Sequence, residues 1–317
     1  MAGTADRPER SLTMTFAQTP VHLAEKDERG NAFYFKREDL LPYSFGGNKV
    51  RIGLEYLRDM KEKGCDHMVA YGNARSNLCR VLSNLCAGEG IPITILSPAD
   101  DDGQRREAFN EQLCRSFGAR IVPCLKTGVA ETVDQALADI RQKGEKPYYI
   151  YGNRLGRGNE AVPAAAYVPV YEEIRAQGDF DVIALACGTG MTLAGLICGR
   201  QKYGGTQRIL GISVARDQHN ARTHTAAYAN AWLGEEIIRA EDIDICDDFR
   251  MTYGTSDDFT AQTMRRMMKE HGIPLDATYT GKAYAGLIRV AEKEEWQGKR
   301  VLFIHTGGTP LFFDSLR

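Results

Sequence analysis

Apolar residues along the chain switch repeatedly between helical spacing and short continuous runs. Val50, Leu54 and Leu57 recur at positions i, i+4 and i+7, which predicts a helix with one apolar face. The next run, 67–71, is short and mostly apolar, as is typical of a buried strand. Because the same alternation continues to the last run, 301–304, we predict parallel sheets covered by helices on both faces.

Seven strands and eight helices follow from this pattern. The strands are predicted at 67–71, 91–96, 121–123, 148–151, 182–186, 209–214 and 301–304. The helices are predicted from about residues 50 and 76 onward, and over 109–117, 133–140, 192–203, 219–233, 259–270 and 283–296. So many strands exceed one small sheet, so we predict an α/β fold with two domains. Each domain holds a mainly parallel, twisted sheet covered by helices.

The expected domain boundaries place a smaller α/β domain, 49–161, within a larger one formed by 1–48 and 162–317. No linker rich in glycine and serine separates the two. The chain is therefore expected to cross between the sheets more than once.

Composition narrows the class of protein. Of the 317 residues, 43% are hydrophobic and 26% charged, as in ordinary globular proteins. The net charge is −2 and no run of like charges occurs, so we expect no nucleic-acid partner. The first twenty residues lack an apolar signal core, and no apolar stretch approaches the roughly 20 residues that span a bilayer. These features predict a cytoplasmic protein without a membrane partner.

The eight cysteines include no C-x-x-C pair and no zinc-ligand spacing. Several lie inside apolar runs, where a thiol acts as a small hydrophobic side chain. We therefore expect a reducing compartment and no structural metal.

Ligands of α/β proteins bind beyond the carboxyl ends of strands, where loops lead into helices. The loop Gly46-Gly47-Asn48-Lys49 leads into such a helix, and its two glycines permit a tight turn. Lys49 then falls in the first helical turn, where the helix dipole lowers the pKa of an amine. A lowered pKa suits a nucleophile or base. The alternative is a solvated surface lysine.

A second loop, 187–192, joins a predicted strand to a helix. Backbone N–H groups at a helix N-terminus, with the hydroxyls of Thr189 and Thr192 beside them, suit a phosphate. The loop is also compatible with dinucleotide binding, although Leu193 stands where G-x-G-x-x-G has its third glycine. Asp217 follows the next strand, so position alone leaves that alternative open.

Three further segments combine glycine or small polar residues. Ser76 and Asn77 follow a predicted strand, although such a pair is also an ordinary helix cap. The segments 279–282 (Tyr-Thr-Gly-Lys) and 305–309 (His-Thr-Gly-Gly-Thr) lie near the end of the chain. Each is alternatively explained as turn chemistry at the start of a helix.

Taken in order, these segments resemble the fold-type-II pyridoxal-phosphate (PLP) enzymes, whose fold is like that of tryptophan synthase β. The similarity is strong to the family of 1-aminocyclopropane-1-carboxylate deaminase and D-cysteine desulfhydrase. It extends over nearly the whole chain. The matching segments are Thr19-Pro20, Phe35 to Asp39, GGNK with Lys49, Ser76-Asn77, the 187–192 loop, LDATYTGKA at 275–283 and HTGG at 305–308.

The resemblance implies PLP as cofactor and a role for each matching residue. Lys49 would bind PLP as a Schiff base and act as the base, with Tyr279 and Ser76 as further catalytic candidates. The implied cofactor-binding residues are Lys49, Asn77 at the 3-hydroxyl, Gly188, Thr189, Gly190, Met191 and Thr192 at the phosphate, and Thr280 or Thr306 at the pyridine nitrogen. The implied substrate-binding residues are Asn48, Arg75, Ser76, Asn77, Tyr151 and Arg154. A homodimer that acts on a small amino acid is also implied.

Three positions depart from the family pattern. Thr280 stands where the ring-opening deaminases carry a glutamate, and a hydroxyl protonates the pyridine nitrogen only weakly. Weak electron withdrawal suits the loss of a good β-leaving group better than cyclopropane opening. Arg75 replaces a glutamine, and Arg154 ends a segment that replaces a Gly- and Ser-rich loop. These guanidinium groups suit a carboxylate or phosphate, unless they pair with a local acid such as Glu160.

We therefore predict a PLP-dependent amino-acid lyase or deaminase, similar to D-cysteine desulfhydrase. Lys49 removes the Cα proton, the β-substituent leaves, and a keto acid and ammonia result. Arg75 further predicts a preference for substrates with a second anionic group. The alternatives are a β-replacement synthase, another amino-acid lyase, a nicotinamide-dependent Rossmann oxidoreductase that uses the 188–195 loop, and a catalytically silent PLP- or amino-acid-binding protein.

Overall fold

The computed structural model describes residues 18–99, 103, 108–214, 216–249 and 256–314. Its strands are β1 (Val21–Lys26), β2 (Ala32–Lys36), β3 (His67–Tyr71), β4 (Ile93–Pro98), β5 (Arg120–Cys124), β6 (Pro147–Tyr149), β7 (Val182–Cys187), β8 (Arg208–Ser213), β9 (Ile245–Cys246) and β10 (Arg300–Ile304). Its α-helices are α1 (Asn48–Glu62), α2 (Asn77–Glu89), α3 (Phe109–Ser116), α4 (Val129–Gln142), α5 (Ala161–Ala165), α6 (Val168–Gln177), α7 (Met191–Tyr203), α8 (Gln218–Leu233), α9 (Asp258–His271), α10 (Thr280–Lys293) and α11 (Thr309–Asp314).

Six strands form the larger sheet, in the order β1-β2-β10-β7-β8-β9. β1 runs antiparallel to β2, and the other neighbouring pairs are parallel. Alternate residues of the central strand β7 face opposite ways. Ile183 and Leu185 lie in one core with α7, whereas Val182 and Ala184 lie in another with α9 and α10. Both faces are buried, which explains why the strand is apolar throughout.

Four parallel strands form the smaller sheet, in the order β5-β4-β3-β6. Met68 and Ala70 of β3 lie in the same core as α1 and α2, and Val69 lies in a separate core with α4. This sheet is therefore also covered by helices on both faces. The predicted α/β class, with two mainly parallel and helix-covered sheets, is confirmed.

Several element boundaries differ from the predicted ones, for local reasons. β4 begins at Ile93 rather than 91, because Pro92 has no N–H to donate to the strand ladder. α10 begins at Thr280, three residues early, because the carboxylate of Asp276 accepts hydrogen bonds from N–H groups of its first turn. β1 was not predicted because it is an edge strand that buries few apolar residues. The pattern also missed β2, β9, α5, α6 and α11.

The chain leaves the larger sheet after β2, builds the smaller sheet, and returns at β7, so it crosses between the sheets twice. All four strands of the smaller sheet fall within 49–161. The boundaries 1–48, 49–161 and 162–317 stay a prediction, and residues 1–17 and 315–317 lie outside the described residues. In the described part of the chain, no helix combines the length and apolar character needed to cross a membrane.

Candidate active site

A cavity of about 290 Å³ lies where the carboxyl ends of strands from both sheets meet. Its lining falls into two groups. The larger-sheet wall consists of Asn48, Lys49, Ala186, Cys187, Gly188, Thr189, Gly190, Met191, Thr192, Leu193, Arg216, Tyr279, Thr306 and Gly307. The smaller-sheet wall consists of Tyr71, Gly72, Asn73, Ser76, Asn77, Leu78 and Tyr151.

Lys49 reaches the cavity because two glycine-containing loops approach each other closely. A Cβ on Gly47, whose φ is 100°, would lie 2.8 Å from the carbonyl oxygen of Thr306. A Cβ on Gly307 would lie 2.5 Å from the Cα of Gly47, so neither residue has room for a side chain. The N–H of Asn48 donates to the same Thr306 carbonyl at 3.1 Å. GGNK and HTGG, from opposite ends of the chain, thus form one structural unit.

The amine of Lys49 is removed from bulk solvent, and this burial lowers its pKa to about 8. The nearby thiol of Cys187 acts in the opposite direction, because a negative charge there favours the ammonium form. The lowered pKa agrees with the sequence-based expectation, but its main cause is burial rather than the helix dipole. At pH 7, roughly a tenth of such a lysine is neutral and able to act as a nucleophile.

The turn between β7 and α7 forms the part of the larger-sheet wall that suits an anion. Gly190 has a φ of 92°, and α7 begins at Met191, so N–H groups of the first helical turn lack partners within the helix. Asn48 Nδ2 donates to Thr192 Oγ1 at 2.8 Å, which ties the lysine loop to this turn. Arg216 Nη1 donates to the carbonyl of Thr189 at 3.4 Å, so a cation also borders the turn.

Of the two threonines proposed for the pyridine nitrogen, the structure brings only Thr306 to the cavity. The hydroxyl of Thr280 is fully buried, donates to Asp276 Oδ2 at 2.7 Å and accepts from the N–H of Asp276 at 2.9 Å. It therefore stabilises the turn before α10. Tyr279, the preceding residue, does line the cavity.

The two arginines proposed for substrate binding do not lie at the cavity. Arg154 is mostly exposed, and its Nη1 donates to Asp134 Oδ2 at 3.0 Å. Arg154 is therefore paired with a local acid, as the alternative explanation predicted, although the acid is Asp134 rather than Glu160. The backbone N–H of Arg75 donates to Asn73 Oδ1 at 3.1 Å, and it is Asn73 rather than Arg75 that lines the cavity.

The other proposed residues meet in one place. Ser76 caps α2 by accepting from the N–H of Cys79 at 3.2 Å, and it also lines the cavity together with Asn77 and Tyr151. The cap explanation and the binding explanation of Ser76 are therefore compatible.

Sequence reasoning missed Tyr71, Asn73 and Arg216. A signal existed for each, since Tyr71 ends β3, Asn73 follows it by two residues and Arg216 follows β8, all at the carboxyl end of a parallel strand. Polar residues at the carboxyl ends of parallel strands therefore indicate a binding site, as the neighbouring Gly-rich loops do.

The chemistry of these groups fits PLP. Lys49 offers an amine of lowered pKa for an aldehyde, the β7–α7 turn offers N–H groups for a phosphate, and Thr306 offers a hydroxyl for a ring nitrogen. None of the described lining residues is an aspartate or glutamate, so no carboxylate repels the phosphate.

Comparison with known proteins decides the family. A model of the family described as pyridoxal-phosphate dependent enzyme matches residues 12–307. The chain belongs to that family. It is similar to the 1-aminocyclopropane-1-carboxylate deaminases of Burkholderia multivorans and Allorhizobium ampelinum, with 31% identity to each and 94% of both chains covered.

Solved structures agree with this assignment. One described as an ACC deaminase homologue has a TM-score of 0.80 and 29% identity, and covers 95% of this chain and 93% of its own. A hydrogen sulfide-producing enzyme from Fusobacterium nucleatum has a TM-score of 0.64 at 18% identity, with 92% and 95% covered, and shows the shared fold alone.

These comparisons confirm the predicted PLP cofactor, the fold-type-II class and the class of PLP-dependent lyase or deaminase. The nicotinamide alternative has no support in this family. Asp217, on which it depended, lies outside the cavity lining, and its carboxylate caps α8 by accepting from the N–H of Asn220 at 2.8 Å.

Proposed function

We propose that this PLP enzyme acts on a small amino acid with a good β-leaving group and releases a keto acid and ammonia. In this respect it would be similar to D-cysteine desulfhydrase rather than to deaminases that open a cyclopropane ring. One observation carries the proposal: the described residues that line the cavity include no carboxylate.

The charge at the pyridine nitrogen determines which reaction is favoured. A carboxylate beside that nitrogen would keep it protonated, whereas a hydroxyl such as that of Thr306 does so weakly. PLP, when bound, supplies a conjugated ring that accepts the electrons of a broken Cα–H bond. A weakly withdrawing ring suffices where the β-substituent leaves readily after deprotonation. Cyclopropane opening needs stronger electron withdrawal by the ring. None of the described lining residues is a carboxylate that could provide it by keeping the nitrogen protonated.

Several residues of the cavity have a role in the proposed reaction. The Nζ of Lys49 takes the proton from the substrate Cα, and its lowered pKa suits a base near neutral pH. Ser76 and the N–H groups at the start of α2 bind the substrate carboxylate. Tyr279 exchanges a proton with the substrate, and Asn77 donates a hydrogen bond to the 3-oxygen of the cofactor. The turn 188–192 holds the phosphate.

Selectivity for an anionic group on the substrate is assigned to Arg216 in place of Arg75. Arg216 lines the cavity, and no ion pair between it and a carboxylate occurs within the described ranges. Burial raises the pKa of Tyr151, the positive charge of Arg216 partly opposes that rise, and both residues line the cavity. A guanidinium between the anion-binding turn and the smaller-sheet wall can hold a second anionic group of the substrate.

The experiment that tests the proposed reaction is turnover across a panel of D- and L-amino acids, with keto acid and ammonia both measured. D-cysteine, a β-chloroalanine, serine and 1-aminocyclopropane-1-carboxylate form the core of the panel. We expect kcat/KM to rise with the quality of the β-leaving group. Efficient opening of the cyclopropane substrate, with no release from the others, would contradict the proposal.

The setting of the enzyme is proposed as well. All eight cysteines are free, which fits a reducing compartment such as the cytoplasm. The family resemblance supports a homodimer. Sedimentation equilibrium of the holoenzyme tests this, and a monomer at micromolar concentration would contradict it.

A further inference from the structure

Arg80 is a buried arginine that has no carboxylate partner among the described residues. It lies on α2 one turn after Asn77, and only 1% of its surface is exposed. Nη1 donates to Ser44 Oγ at 3.2 Å, and Nη2 donates to Asn77 Oδ1 at 3.3 Å. Among the residues that the structure describes, Nε has no hydrogen-bond partner. A buried charge that is neither paired nor fully hydrogen-bonded reduces stability, so it needs an explanation.

Arg51, a largely buried arginine of α1, is paired with carboxylates. Its Nε contacts Glu38 at 2.7 Å, and its Nη2 contacts Glu173 at 3.1 Å. For Arg80, the titratable group close enough to influence its pKa in the described chain is the thiol of Cys114. Burial raises the pKa of that thiol to about 11, so it is neutral at pH 7. Burial also lowers the pKa of Arg80 to about 10, which still leaves the guanidinium charged at pH 7.

Arg80 also determines how the Asn77 amide is oriented. The Oδ1 of Asn77 accepts from Arg80 and from Asn110 Nδ2, the latter at 2.9 Å. Arginine has only donors, so the oxygen of Asn77 must be the atom that faces it. The amide nitrogen of Asn77, which lines the cavity, is left to donate to a ligand.

We propose that Arg80 is a positioning residue that turns the N–H groups of Asn77 toward the cavity and supplies the positive charge that keeps the 3-oxygen of the cofactor ionised. This rests on the proposed contact between Asn77 and that oxygen. The buried guanidinium then has its counter-charge in the ligand, one amide away. Electrostatic interactions are strong in such a site because water is largely excluded.

The contact with Ser44 links Arg80 to the loop before Lys49. Tyr43, Ser44 and Phe45 have φ values of 72°, 44° and 64°, a left-handed conformation that side chains rarely adopt in succession. Such strain persists only where surrounding contacts hold it, and the bond from Arg80 is one of them. Arg80 therefore connects the lysine loop and the Ser-Asn turn, the two segments that hold opposite ends of the proposed reaction centre.

The test compares the wild-type holoenzyme with Arg80→Met by titrating the visible absorbance of bound cofactor with pH. A nearby cation favours the deprotonated, more negative chromophore, so its removal should raise the midpoint by about 1 pH unit or more. A second measurement compares the affinities of the apoenzyme for PLP and for 3-deoxypyridoxal phosphate, which lacks the 3-oxygen. The preference for PLP should fall about tenfold in Arg80→Met.

Two further variants separate charge from orientation. Arg80→Lys keeps the charge, so its midpoint should lie closer to that of wild type than to that of Arg80→Met. Asn110→Ala removes the other donor to Asn77 Oδ1, so the preference for PLP should fall while the midpoint moves little. If Arg80→Met does not fold, these two variants carry the test.

Arg208→Met is the control, because Arg208 begins β8 at the end of the sheet away from the cavity. It should change neither quantity. The proposal would be overturned if Arg80 variants bound PLP and 3-deoxypyridoxal phosphate more weakly by the same factor and the midpoint of the absorbance titration did not move. Arg80 would then have only a structural role. A wild-type protein that carries no cofactor on Lys49 would instead refute the proposed site.

Discussion

The two walls of the cavity present different kinds of chemical groups. The larger-sheet wall contains the main-chain N–H groups of the β7–α7 turn and many small residues, beside the side chains of Lys49, Arg216 and Tyr279. It is held by contacts such as that of Asn48 with Thr306. The smaller-sheet wall presents side chains, among them Tyr71, Asn73 and Tyr151. Main-chain groups cannot be changed by substitution, which suits a ligand that is the same in every turnover. Side chains can change, which suits the choice of substrate.

This difference matches where the chain departs from its family. The segments GGNK, 187–192 and HTGG keep the family pattern and build the larger-sheet wall. Of the three departures, those at 75 and 151–154 lie in the loops of the smaller sheet, whereas Thr280 begins α10 beside the larger sheet and lies outside the cavity lining. We infer that the larger-sheet wall holds most of the cofactor, with Asn77 of the smaller-sheet wall at its 3-oxygen, and that selectivity for the substrate arises at Arg216.

The largest effect should come from Lys49→Ala. The variant loses both the covalent link to the cofactor and the base, so turnover should fall by about 10³-fold or more. Borohydride reduction of the wild type, followed by peptide mapping, should place the cofactor on Lys49. Burial also lowers the pKa of Lys282 to about 8, which makes it the natural competitor. A reduced adduct on Lys282 would show that the larger-sheet wall has been misassigned.

The pH dependence of cofactor uptake should report the pKa of Lys49 directly. Only the neutral amine attacks the aldehyde, so the apoenzyme should take up PLP faster as pH rises and level off above about 8. Below that pH the rate should fall about tenfold per unit. Stopped-flow absorbance from pH 5.5 to 10 measures it. A rate still rising steeply above pH 9.5 would mean that the lysine is solvated, as in the surface-lysine alternative.

Loss of a hydroxyl from the anion-binding turn should weaken cofactor binding more than it slows the chemistry. Thr189→Ala and Thr192→Ala should each raise the Kd of PLP about 10- to 100-fold, because a hydrogen bond to a charged group contributes about 1.5–3 kcal/mol. Thr192 also accepts from Asn48, so its variant should lower kcat as well. The matched control is Thr223→Ala on α8, whose hydroxyl donates within its own helix. If the Kd of PLP were unchanged in both threonine variants, the turn 188–192 would not be the phosphate-binding site.

Arg216→Gln and Arg75→Gln form a matched pair for substrate choice. Loss of Arg216 should reduce kcat/KM for a substrate with a second anionic group about tenfold relative to a neutral one, because a charge-assisted hydrogen bond is lost. Loss of Arg75 should leave that ratio unchanged. A ratio that moves only with Arg75 would reverse the assignment. A raised Kd for PLP in Arg216→Gln, with an unchanged ratio, would place Arg216 at the cofactor phosphate instead.

The smallest effect on catalysis should come from Thr280→Val. Its hydroxyl bonds Asp276, so we expect a loss of about 1–3 kcal/mol in the free energy of unfolding and little change in the visible spectrum. Thr306→Val, at the cavity, should alter the spectrum with a smaller loss of stability. Urea unfolding and absorbance of the holoenzymes measure both. A changed spectrum in Thr280→Val, together with an unchanged one in Thr306→Val, would assign the contact with the ring nitrogen to Thr280.

The sequence predicted the elements that depend on short-range spacing. All seven predicted strands exist within a few residues, as do the helices that carry periodic apolar faces. Lys49, Ser76 and Thr189 were found because glycine or a cap residue between a strand and a helix marks the binding edge of a parallel sheet. Arg75 and Thr280 are not among the residues that line the cavity, because adjacency along a chain does not determine which residues face a cavity.

By itself, the sequence determined the fold class and most of the elements, because apolar periodicity and turn chemistry act over a few residues. The cofactor followed from the resemblance of the ordered segments to a known family. Only the tertiary structure decided that Gly47 and Gly307 meet without room for a side chain, and that Arg216 rather than Arg75 borders the cavity. It also decided that Arg80 and Asn110, from separate helices, hold the amide of Asn77. These contacts join residues far apart in the chain, and their directions follow from packing, which no local pattern encodes.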